Sequence, residues 1–164
     1  MTRSREQHET RSGGFRVVLV EPKIPPNTGS IARLCAATRI PLHLVEPLGF
    51  EITNRRLKRA GLDYWEFAQV KTHSSLESLI VGLDPHNLCF FSKKATRSYL
   101  EAGFQGHELL VFGSETVGLT EELLGRYPDR SFRIPIIQPA VRSLNLANAV
   151  SIVVYEALRQ TGLI

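Results

Sequence analysis

The sequence predicts a single-domain α/β protein, a parallel sheet flanked by helices. Three observations carry that prediction. Short unbroken apolar runs, of which Phe15–Val20 (FRVVLV) is the first, have the composition of strands covered on both faces. The chain opens strand, helix, strand with short connections, the βαβ pattern of a parallel sheet. About six strands and five helices then alternate, with no internal repeat and no linker after residue 14.

The elements follow in order. Glu21–Pro26 stops the first strand, and Asn27 has the chemistry of an N-cap for a helix over Thr28–Thr38 with Ile31, Leu34 and Cys35 inward. Leu42–Val45 is the second strand. Thr53–Ala60 reads as a short helix carrying Arg55, Arg56, Lys58 and Arg59, and Phe67–Val70 as a short strand. Ser74 and Glu77 have capping-box spacing and start a helix through Val81. Leu88–Phe91 and Leu109–Phe112 are buried strands. Thr120 caps a helix whose first turn holds Glu121 and Glu122, where the helix dipole favours carboxylates. Phe132–Ile134 is the last strand. The segment to Ala140, with Pro135 and Pro139, is neither helix nor central strand. It feeds a helix over Leu146–Leu158 that is apolar on more than one side.

The 164 residues suffice for one core, with 43% hydrophobic and 22% charged residues. No apolar run approaches a membrane span. Residues 1–14 are polar, lack the apolar core of a signal peptide, and are expected to form a disordered tail before the domain at 15–164. A cytoplasmic protein is expected. Cys35 and Cys89 lack CxxC spacing and read as buried free thiols; the five histidines are scattered, so no metal site is expected. A net charge of +4 and a pI near 9.3 permit an acidic partner such as nucleic acid.

Ligands of open α/β sheets bind beyond the carboxyl ends of the strands. Three loops occupy such positions: Ser92–Thr96, Gly113–Gly118 and Ile134–Ser143. The second has glycine at both ends, which lets backbone approach a ligand or another segment, but it carries neither GxGxxG nor GK[ST]. Arg33 lies among small neighbours and is either a solvated helical arginine or a functional one. Glu115 is either a turn residue or a carboxylate facing a cationic ligand. Ser143 and Asn145 have the chemistry of caps; Asn148, one turn on, is harder to explain that way. Lys23, Lys93, Lys94 and Arg142, with the basic group at 55–59, form either a solvated face or a phosphate-binding surface.

Taken together, three segments resemble the motifs of the SPOUT-class RNA 2′-O-ribose methyltransferases. These are Asn27-Thr28-Gly29-Ser30-Ile31-Ala32-Arg33-Leu34-Cys35, Leu110-Val111-Phe112-Gly113-Ser114-Glu115-Thr116-Val117-Gly118-Leu119, and Arg142-Ser143-Leu144-Asn145-Leu146-Ala147-Asn148-Ala149-Val150. The start at Glu21-Pro22 and the run Arg59-Ala60-Gly61-Leu62-Asp63-Tyr64 are similar to the TrmL (YibK-like) branch of that class. The resemblance implies a SPOUT-type parallel sheet whose C-terminal part forms a deep trefoil knot. It implies an S-adenosylmethionine site at Phe91, Gly113, Gly118, Ile134, Ser143 and Leu144, and no metal. It implies catalytic or positioning roles for Arg33, Asn27, Glu115, Ser143 and Asn145, with Arg33 at the acceptor hydroxyl or its phosphate.

The resemblance further implies a homodimer through the C-terminal helix, where an Asp at Val153 or Val154 is expected to break the dimer or the fold. Tyr155 reaches either the partner's site or only its helix. The implied substrate is the wobble nucleotide, cytidine or a modified uridine, of leucine tRNAs. The alternatives are a relative acting on another tRNA or ribosomal RNA position, and a non-catalytic RNA-binding relative. Val117 stands where many relatives carry Arg, and Thr120 where they often carry Pro.

Overall fold

The computed structural model describes residues 14–53 and 64–164. The tail expected at 1–14 and the helix expected over Thr53–Ala60 therefore lie almost wholly outside the described residues. Seven strands form one sheet: β1 (Arg16–Val20), β2 (Leu42–Val45), β3 (Val70–His73), β4 (Leu88–Phe91), β5 (Arg97–Ser98), β6 (Leu109–Phe112) and β7 (Ser131–Arg133). Every pairing is parallel, in the order β3-β2-β1-β6-β4-β7-β5. The helices are α1 (Pro25–Thr38), α2 (Leu76–Ile80), α3 (Glu121–Arg126) and α4 (Leu146–Gln160).

The sheet separates two cores, as the two-residue period of a strand requires. On one face Val17, Leu19, Leu110, Phe112 and Phe132 pack with Ile31 and Cys35 of α1 and Val150, Val153 and Val154 of α4. On the other, Val18, Phe90 and Val111 pack with Ile80 of α2 and Leu123 and Leu124 of α3. β1 leads outward to β2 and β3. The chain then returns to place β4 on the far side of β1, and β6 later fills the space between them. The direction of winding thus reverses beside β1, and a crevice beyond the carboxyl ends of β4, β6 and β7 is where such a sheet binds ligands.

Several expected boundaries move. α1 begins at Pro25, with Ile24 as N-cap, so Asn27 lies inside the first turn and is not the cap. Proline suits that start, because its missing N–H is an orphan position anyway and its φ is already helical. Ser75, not Ser74, caps α2 by accepting from the Ser78 N–H at 3.1 Å. The strand expected at Phe67–Val70 is β3 at Val70–His73, and Trp65–Phe67 form a 3₁₀ turn before it. The two-residue β5 raises the strand count beyond the expected six. Val153 and Val154 are fully buried within their own subunit, so they belong to the core; the outward residues of α4 are Asn148, Ile152, Tyr155 and Arg159. Cys35 and Cys89 are free and buried, and burial pushes both thiols up to about 12.

Two polar clusters, one buried and one half-buried, brace this frame. The fully buried Glu108 carboxylate accepts from the backbone N–H groups of Gln105, Gly106 and His107 at 2.6, 2.9 and 3.0 Å. Arg130 donates to the Leu88 and Ala102 carbonyls and to the Cys89 sulfur, tying β4 to the turn at Tyr99–Glu101. That guanidinium therefore holds secondary structure in place.

His43 and His73, on β2 and β3, share one hydrogen bond, Nδ1 to Nε2, at 2.8 Å. Burial, then the positive charge of His73, Arg16 and Lys71, lowers His43 from 6.5 to about 4. The folded chain thus holds this ring neutral. Its stabilising contribution is complete above pH 6.5 and is lost as pH falls toward 4. His43→Gln is expected to flatten the dependence of unfolding free energy on pH between 6.5 and 5, measured by urea denaturation; an unchanged slope would contradict it.

Candidate active site

A cavity of about 350 Å³ opens beyond the carboxyl ends of β4 and β6. That volume lies within the range of about 300–1,000 Å³ typical of small-molecule sites. Its floor includes Phe91 and Phe112, the last residues of those strands, which stand in register and stack with centroids 4.9 Å apart. Gly113–Gly118 contributes one wall. Ile134, Ile136 and Ser143–Leu146 contribute another, and Ile24 and Asn27 reach in from the start of α1. Lys93 and Lys94 also line the cavity.

Gly113 is required by close backbone approach. A Cβ there would lie 2.2 Å from the Gly118 carbonyl carbon and 2.4 Å from the Leu119 nitrogen. The loop folds onto itself through the Gly118 N–H donating to the Ser114 carbonyl at 3.0 Å, with Gly118 at φ +70°. A side chain at 113 would fill the space this turn occupies.

A hydrogen-bonded chain joins the three sequence motifs at this cavity. The Glu115 carboxylate accepts from the backbone N–H groups of Lys23 and Ile24 at 2.8 and 3.0 Å, and from Asn27 Nδ2 at 3.3 Å. Asn27 Oδ1 accepts from Asn145 Nδ2 at 3.0 Å. Asn145 Oδ1 in turn accepts from the Ala147 and Asn148 N–H groups, capping α4. Glu115 therefore supplies, from 91 residues away in sequence, the negative charge that the α1 N-terminus lacks locally. Its carboxylate is occupied by these donors. Asn145 both caps α4 and lines the cavity.

Phe91, Gly113, Gly118, Ile134, Ser143, Leu144, Asn27, Glu115 and Asn145 all line this cavity. Arg33 is not among its lining residues. It is exposed, six residues beyond Asn27 on α1, and its guanidinium lies 4.7 Å from the centre of the Tyr64 ring. A six-residue step turns a helix by roughly 240°, so Arg33 faces away from the side that carries Asn27. Arg142 is likewise exposed and outside the cavity lining. The cavity contribution of Ile24 was not apparent from the sequence; it precedes Pro25, which holds it in extended backbone, whereas Ile136 falls within the loop expected over Ile134–Ser143. No group of metal-ligating side chains occurs among the described residues.

A glycine-walled cavity at the winding reversal of a parallel sheet, closed by a proline-bearing segment and a capped helix, defines the class. The chain belongs to the SpoU rRNA Methylase family, whose profile matches residues 14–155. It is 49% identical over 149 residues to the tRNA (cytidine(34)-2'-O)-methyltransferase of Saccharophagus degradans, covering 90% of this chain and 96% of that one. A solved structure described as "Structural insights into the 2-OH methylation of C/U34 on tRNA" is 44% identical, with TM-score 0.81, covering 89% of this chain and 95% of that one. An AdoMet-bound rRNA methyltransferase from Sinorhizobium meliloti is 25% identical with TM-score 0.75, covering 90% of this chain and 57% of that one.

Proposed function

We propose that this protein transfers a methyl group from S-adenosylmethionine to the ribose 2′-hydroxyl of nucleotide 34, the wobble position, in leucine tRNAs. The observation that carries the reading is the chain Glu115–Asn27–Asn145, which brings all three motifs to one glycine-walled cavity. Support for the substrate comes from the near full-length likeness to relatives named for methylation at position 34. The donor fits a wall of peptide groups at Gly113–Gly118 and Ile134–Leu144 over the stacked rings of Phe91 and Phe112. When bound there, S-adenosylmethionine supplies a methyl carbon already activated by its sulfonium leaving group.

The chain's own work is alignment and charge. Methyl transfer forms the O–C bond as the S–C bond breaks, with the acceptor oxygen in line with the methyl carbon and the hydroxyl proton passing to solvent; fixed geometry supplies a large share of such a rate enhancement. Asn27, Glu115 and Asn145 fix α1 and α4 relative to the cavity; Ser143 stands at its edge. A guanidinium is a poor base, so the role proposed for Arg33 is to stabilise the developing alkoxide and clamp the adjacent phosphate. Lys93 and Lys94 offer charge to the RNA backbone at the cavity edge.

In this reading residues 134–143 close a deep trefoil knot over the donor. Two copies pair through α4, whose Ile152 and Tyr155 are 37% and 49% exposed. Pairing would cover that apolar surface. The protein would work in the cytoplasm, where tRNA is modified. Nucleoside mass spectrometry of leucine tRNAs from cells lacking the gene tests the substrate: ribose methylation at nucleotide 34 is expected to disappear, and its persistence would overturn the assignment.

A further inference from the structure

We propose that Tyr64 is a positioning residue for Arg33, holding the guanidinium over its ring so that its N–H groups are presented to the RNA acceptor. The inference rests on the function proposed above and adds a residue to that machinery. Three observations carry it. The Arg33 guanidinium carbon lies 4.7 Å from the ring centre, within the range of a cation–π contact. Tyr64 is 41% exposed, so its ring is not needed to fill the core. Its backbone is nonetheless held: the Phe67 N–H donates to the Tyr64 carbonyl at 3.0 Å, and the adjoining Trp65 packs against the core that contains Ile31 and Cys35 of α1.

The platform and the helix carrying Arg33 are thus fixed to each other while the contacting groups stay at the surface. An arginine side chain left free in water samples many rotamers, and each must be given up when it meets a phosphate or an alkoxide. An aromatic face restrains the planar guanidinium without consuming its N–H donors. Asn27 needs no such device, because hydrogen bonds fix it on both sides.

Steady-state kinetics of the full-length Tyr64→Ala variant, with tRNA and S-adenosylmethionine varied separately, tests this. The expected result is a roughly two- to fivefold fall in kcat, the size of an exposed cation–π contact, with KM for the donor and melting temperature unchanged. Tyr64→Phe, which keeps the ring, is expected to restore kcat. An unchanged kcat in Tyr64→Ala would overturn the inference. So would a defect confined to KM for tRNA, which would make Tyr64 a direct RNA contact, or a Tyr64→Phe variant as impaired as Tyr64→Ala. Wild-type protein that methylates no tRNA would instead defeat the proposed function, and the two failures are therefore distinct.

Discussion

Replacing Arg33 with alanine is expected to lower kcat for methyl transfer about 10²–10³-fold, the size of losing one preorganised charge-stabilising donor. Donor binding, measured by calorimetry, is expected to stay at the wild-type value. The separation follows from placement. Arg33 is outside the residues lining the cavity and rests on Tyr64, so its removal leaves the glycine wall and the Glu115–Asn27–Asn145 chain untouched. Its exposure also predicts little change in stability. Loss of donor binding in this variant would contradict the assignment of Arg33 to the acceptor side.

Gly113→Ala is expected to have the converse effect. The added Cβ would meet backbone at 2.2 Å, and a backbone neighbour cannot rotate away as a side chain can. The loop must shift, opening the Ser114–Gly118 closure and displacing the wall that faces the donor. We expect donor affinity to fall at least about tenfold, and stability to fall by about 1–3 kcal/mol, the usual cost of overpacking. Calorimetry and chemical denaturation measure the two. Gly118→Ala is the comparison: nothing lies within 4 Å of its added Cβ, and only the positive φ opposes it. Its milder strain, about 1 kcal/mol, should leave the donor site largely intact. Wild-type donor affinity in Gly113→Ala would remove that wall from the site.

The runs that became β1, β2, β4 and β6 were legible because a parallel sheet is buried on both faces, and both faces then demand apolar residues. The edge strands were not. β3 is Val-Lys-Thr-His and β5 only Arg-Ser, and hydrogen bonds to one neighbour define each without an apolar run. The start of α1 carried a readable signal in Pro25, but Asn27 is also a good cap residue, and local sequence does not rank the two. What ranks them is Glu115, a carboxylate brought from another strand end. Separation also hid the role of Arg130, whose partners at Leu88, Cys89 and Ala102 lie 28–42 residues away; Glu108 was hidden because its partners, though local, are backbone N–H groups that leave no trace in composition.

At the site, residue types were legible and their division of labour was not. The glycines pointed to close backbone approach, which holds at 113, whereas Gly118 is required by its positive φ; Asn145 pointed to a cap, which also holds. Glu115 had two readings from sequence; its three donors make it a brace between segments, and it lines the cavity as well. Arg33 was grouped with the cavity residues by motif, yet a helical turn of roughly 240° from Asn27 sets it on another side of α1.

The most direct test of the central claim gives the full-length protein S-adenosylmethionine labelled in the methyl group together with a leucine tRNA, and maps the product. The expected result is label on the ribose of nucleotide 34, and none when that nucleotide is replaced by its 2′-deoxy form. Label on a base, at another nucleotide, or undiminished on the 2′-deoxy tRNA would contradict it.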